Sequence, residues 1–121
     1  MLKLRRAPKA IGLLYVTASA DDEFIAEEES DYARLAQKGG LVLTRVVVNR
    51  VSALSDVPFE DREPIIEVIQ AIQDGEASVV IAPSPAHISP KIGELGWFAD
   101  QIKRAGGQLA HSEYALDDLH G

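Results

Sequence analysis

Apolar, β-branched runs alternate along this chain with segments whose apolar residues recur every three or four positions. Glycine or proline stands near most changes of period. A strand repeats every two residues and a helix every 3.6, so this alternation constrains the fold more than any other feature. Ala10 to Thr17 is mostly apolar and suits a strand buried on both faces. Asp21 or Asp22 can cap the next segment, where Ile25, Tyr32, Leu35 and Ala36 form a helical stripe that ends at Gly39-Gly40. Leu41 to Val48 reads as a second strand, and Asn49 to Phe59 as a loop. Pro64 suits a first helical turn, and Ile65, Val68, Ile69 and Ile72 follow at helical spacing up to Gly75. Ser78 to Ala82 is a third strand. Ser89-Pro90 reads as a cap and first-turn proline, ahead of a stripe of Ile92, Leu95, Ala99 and Ile102. Gly106-Gly107 ends that helix, and Gln108 to Ser112 is a fourth strand.

The predicted order β-α-β-α-β-α-β implies an α/β fold with parallel strands joined by right-handed crossovers. Sites in such sheets form outside the carboxyl ends of the strands. Three segments occupy those ends: 17–22, 49–58 and 83–90.

At 121 residues the chain fits one domain, spanning 1–121. Its net charge is −7, which argues against a free-standing DNA-binding domain. The charge is uneven. Lys3, Arg5, Arg6 and Lys9 make residues 1–9 a basic segment, and Asp21 to Asp31 holds seven acids and no base. Cysteine is absent, which excludes disulfides, a thiol nucleophile and cysteine-ligated metals. No apolar run reaches the ~20 residues of a membrane span, and a cytoplasmic protein is expected.

No glycine-rich phosphate-binding motif follows any strand, and His87, His111 and His120 do not form a metal-ligand spacing. No cofactor or metal is expected. Ser19 follows the first strand, on the turn into a helix. That position suits a nucleophile or an anion-binding hydroxyl, and equally a plain turn or capping serine. Trp97 lies opposite the Ile92 stripe at roughly 100° per residue. It is either an exposed contact anchor or a residue covered by the tail near Tyr114 or Leu116.

Tyr15-Val16-Thr17-Ala18-Ser19, followed by Asp21-Asp22, resembles the Y-x-R-x-S signature of serine recombinases, the resolvases and invertases. Asp61-Arg62-Glu63-Pro64 is similar to that family's D-R-P segment. The run from Gly75 through Val79-Val80-Ile81 to Ala86-His87-Ile88-Ser89-Pro90 looks like the family's strand and its D-R-L-S-R motif. Gly106-Gly107 and Leu116-Asp117-Asp118 match the last strand and the approach to a long helix. The resemblance covers roughly residues 10 to 121. It implies a three-layer resolvase-like fold, with a mostly parallel sheet of four to five strands in the order 2-1-3-4 flanked by helices. It also implies a dimerising helix and a DNA-binding domain after this point. The chain stops at Gly121 and is expected to have neither.

The resemblance places the recombinase nucleophile on Ser19 and one of the family's arginines on Arg62. The arginine two positions before the serine is Thr17 here. The D-R-L-S-R motif has lost its aspartate and both arginines, leaving His87 and Pro90 at the arginine positions. A recombinase serine attacks a DNA phosphodiester, and clustered arginines neutralise the charge that gathers on the phosphate. Losing one such donor costs on the order of 3 kcal/mol, about a hundredfold in rate.

Three functions follow as expectations. The first is a catalytically impaired resolvase-like domain that serves as a binding, oligomerisation or regulatory module, with a protein partner, itself or another. The second is an atypical recombinase cutting DNA through Ser19, with Arg62 and His87 as substitute electrophiles. The third is a phosphate- or nucleotide-binding module at the strand ends, where Ser19, Arg62 and His87 converge.

Overall fold

In the computed structural model, residues 7–111 are described. The basic residues Lys3, Arg5 and Arg6, His120, and the tail with Tyr114 and Leu116 lie outside them. Four strands alternate with three helices: β1 (Lys9–Thr17), α1 (Asp22–Lys38), β2 (Val42–Val51), α2 (Glu63–Gln73), β3 (Val79–Ile81), α3 (Ile92–Arg104) and β4 (Gln108–Ala110). Short 3-10 turns at Phe59–Asp61 and Pro85–His87 precede α2 and α3. All strands are parallel, in the order β2-β1-β3-β4. The expected strand order therefore holds, with four strands among the described residues.

Parallel crossovers are right-handed, and here the chain steps outward to β2 and then back past β1 to β3. The reversal puts α1 on one face of the sheet and α2 and α3 on the other. Between these layers β1 is the hub. Ala10, Ile11, Leu13, Leu14 and Val16 are all buried, as the uninterrupted apolar run predicts. Gly12 is fixed by packing: a Cβ there would stand 2.6 Å from Cδ2 of Tyr32, so only glycine lets the tyrosine ring lie on the strand. The Tyr32 hydroxyl donates to the Leu13 carbonyl at 2.6 Å, which pins α1 to β1. The register of β1 against β2 slips between Ala10 and Ile11, leaving Thr44 without a partner. The Thr44 hydroxyl donates to the Ala10 carbonyl at 3.1 Å.

The α1 stripe is buried as its spacing predicts. Asp21 caps the helix by accepting from the Phe24 amide at 2.8 Å, and Gly40 takes the left-handed φ of 69° that ends it.

Three expectations need correction. β2 runs on to Val51, so Asn49 belongs to a strand and not to a loop. Ser89 is not a helix cap, because α3 starts at Ile92 with Lys91 as its N-cap. The Ser89 hydroxyl instead accepts from the Lys91 amide at 3.1 Å and donates to Glu94 at 2.6 Å. The α3 stripe is also rotated. Ile92 is 86% exposed, because it lies about 100° around the helix from the buried pair Phe98 and Ile102. β4 closes at Ala110, and the expected strand end at Ser112 falls outside the described residues.

Candidate functional site

The carboxyl ends of β1, β2 and β3 open onto one edge of the sheet, and the candidate residues sit there. The chain leaves β1 at Thr17 and turns at once, with the Ala20 amide donating to the Thr17 carbonyl at 3.1 Å. This turn exposes Ser19. Its hydroxyl lies 3.2 Å from that of Thr17, so the two residues the sequence singled out here pair with each other.

Arg50 adjoins this turn, and no sequence motif points to it. It stands at the end of β2, donates to the Ala20 carbonyl at 2.8 Å, and lies 3.8 Å from the Asp22 carboxylate. The guanidinium therefore braces the turn by its backbone.

His87 takes different partners. Its Nδ1 lies 2.7 Å from the Ser84 hydroxyl and its Nε2 lies 3.1 Å from Glu28 of α1. Its ring stands edge-on to Tyr32 at 6.2 Å. The result is a chain Ser84–His87–Glu28 on the α1 face. The acid that orients the imidazole comes from 59 positions away, and no local motif could announce it.

Arg62 faces the opposite side of the sheet. It is the N-cap residue of α2, donates to the Ser55 hydroxyl at 3.3 Å, and lines a cavity of about 410 Å³. Tyr15, Asn49, Val51, Ser89 and Lys91 also line that cavity, and neither Ser19 nor His87 does. Ser19, Arg62 and His87 thus take separate partners. Trp97 is half-buried and packs edge-on against Phe59 with ring centres 6.0 Å apart. Its partner comes from the 3-10 turn before α2, and the tail that could cover it lies outside the described residues.

Among the described residues no cluster of three His, Asp or Glu side chains could hold a metal ion, and no helix is long and apolar enough to cross a membrane.

This architecture and strand order recur in solved structures. The C-terminal catalytic domain of ISC1926 TnpA, an IS607-like serine recombinase, superposes with a TM-score of 0.66 at 13% identity. The match covers 84% of this chain and 65% of that one. The N-terminal catalytic domain of TP901-1 integrase gives a TM-score of 0.67 at 12% identity, covering 88% and 78%. The fold is that of serine recombinase catalytic domains. The first open reading frame of transposon ISC1904 from Sulfolobus solfataricus P2 matches the same resolvase-like fold at a TM-score of 0.54 and 16% identity, covering 85% and 64%. The match spans less than two-thirds of the ISC1926 catalytic-domain chain and of the ISC1904 chain. No protein-family profile matches the chain, and no curated protein matches it in sequence. The resolvase-like resemblance read from scattered motifs is thus met at the level of the fold.

Proposed function

We propose that this chain is a resolvase-fold module that works by binding, with its strand-transfer chemistry impaired. The observation that carries this reading is the setting of Ser19. Its hydroxyl pairs with Thr17, where the family resemblance would put an arginine, while Arg62 and His87 bond to Ser55 and to Ser84 and Glu28. Phosphodiester attack needs preorganised cations around the phosphate, and each one missing costs on the order of 3 kcal/mol. The net charge of −7 also opposes a stand-alone role on DNA. A partner protein, itself or another, fits this reading, with the half-buried Trp97 as a contact residue.

The test is a search for DNA cleavage and for a covalent protein–DNA adduct, comparing the wild type with Ser19→Ala. We expect neither product from either protein. Cleavage that disappears with Ser19→Ala would replace this reading with that of an active recombinase or nuclease.

A further inference from the structure

Asn49 is 2% exposed, yet its side-chain amide makes no hydrogen bond among the described residues. In the parallel register it stands beside Tyr15, and it shares a strand face with Val51. All three line the 410 Å³ cavity. No protein group among the described residues satisfies this amide, so its hydrogen bonds are left to whatever occupies the cavity it lines. That cavity lies within the usual 300–1,000 Å³ range of small-molecule sites.

The remaining wall suits an anion. Arg62 and Lys91 are the N-cap residues of α2 and α3, helices of 11 and 13 residues, and neither closes its helix with a side-chain bond. Two helix N-termini, a guanidinium and an ammonium thus meet at one cavity. Glu94 offsets Lys91, and Arg62, which makes no ion pair among the described residues, is the cation left for an anion. Glu94 is engaged by Ser89 and lies 4.0 Å from Lys91, and Asp56 is on the exposed rim. The buried side chains of Phe59 and Ile88 give the cavity an apolar side.

We propose that this cavity binds a small organic phosphate monoester of mononucleotide size. The phosphate lies against Arg62, Lys91 and the two helix starts. An edge of the organic part that carries both a donor and an acceptor, as a heterocyclic base does, meets the Asn49 amide. Bare phosphate leaves most of the volume empty and has no such edge. The assignment deepens the binding-module reading and rests on it.

The test is titration of the full chain with AMP, GMP, CMP and UMP, followed by amide chemical shifts and by calorimetry. Inorganic phosphate and the free nucleosides are run alongside. At least one nucleoside monophosphate is expected to bind saturably, shifting the amides of residues 49, 62, 89 and 91, and at least tenfold tighter than either phosphate or its own nucleoside. Arg62→Gln and Asn49→Leu should each weaken binding tenfold or more. Asn49→Leu should also keep the wild-type Tm or raise it, because it replaces an unpartnered amide with an apolar group of similar volume. A merely structural Asn49 would lower the Tm and leave affinity unchanged. Should Asn49→Leu fail to fold, Asn49 is structural and its part in the site is overturned, and Arg62→Gln then decides the phosphate contact. The inference is overturned if no monophosphate binds, if phosphate alone binds as tightly, or if Arg62→Gln binds normally. Ser19-dependent DNA cleavage would defeat the binding-module reading instead, whatever the cavity holds. Absent cleavage together with absent nucleotide binding defeats only this inference.

Discussion

Nε2 of His87 lies 3.1 Å from the Glu28 carboxylate, joining the turn after β3 to the middle of α1. Both side chains are mostly withdrawn from water, at 31% and 18% exposed, so this contact is better shielded than a surface ion pair. A double-mutant cycle with Glu28→Ala and His87→Ala, read by urea unfolding, should give a coupling of about 1 kcal/mol. A coupling within error of zero would mean that the pair does not hold the turn in solution.

Tyr32 should make the protein sensitive to alkali. Burial, reinforced by the Glu28 charge, pushes its phenol well above the usual value. The unfolded chain releases this proton near pH 10 and the folded chain does not. The stabilisation is therefore complete below about pH 10 and falls as pH rises beyond it. Tyr32→Phe should cost about 1 kcal/mol at neutral pH, from the lost bond to Leu13, and should flatten the alkaline decline. Urea midpoints at pH 7, 10 and 11 would show both effects.

Gly12→Ala brings a methyl group to 2.6 Å from the Tyr32 ring, which is itself anchored by its hydroxyl. Overpacking of this kind costs about 1–3 kcal/mol. A fall in Tm of several degrees is expected. Combining the change with Tyr32→Leu should recover part of it, and no recovery would locate the strain elsewhere.

Arg45 bonds to both Glu67 and Glu76, tying β2 to α2 and to the turn that leads into β3. The Arg45 hydrogen bond holds the Glu76 carboxyl below its ordinary value. Its contribution is present above the unfolded value of about 4.3 and is lost as pH falls through the lowered folded one. Arg45→Gln should therefore reduce the loss of stability between about pH 5 and pH 3. The groups are exposed, so 1 M salt should shrink the difference between the two proteins.

The sequence carried the layer order well, because long-period and short-period apolar patterns alternate without overlap. The stripe Ile25-Tyr32-Leu35-Ala36 predicts a buried face, and all four residues are buried. It misled at element ends. Ile92 continues a helical spacing but the buried face is centred on Phe98 and Ile102, and a loose stripe of four apolar residues does not fix the direction of the face. Asn49 looked like a loop residue because asparagine is rare in strands. Its strand neighbours Val48 and Val51 were the available signal. Glu28 and Ser84 were invisible as partners of His87, because the contact with Glu28 depends on how α1 crosses the sheet. The convergence expected of Ser19, Arg62 and His87 followed from strand order alone. Strand order puts residues at one edge of the sheet but leaves open which face each side chain takes.

The slipped register at Thr44 also bears on how this molecule avoids its own copies. β2 is the outermost strand on its side of the sheet and runs for ten residues, long enough to template another chain. An extra residue in that strand interrupts the even ladder of donors and acceptors a newcomer would need. Arg45 and Arg50 on this strand are tied to Glu67, Glu76 and Asp22 of the same chain, which lines the border with charged side chains. The border is irregular and densely charged, a combination that suppresses edge-to-edge aggregation.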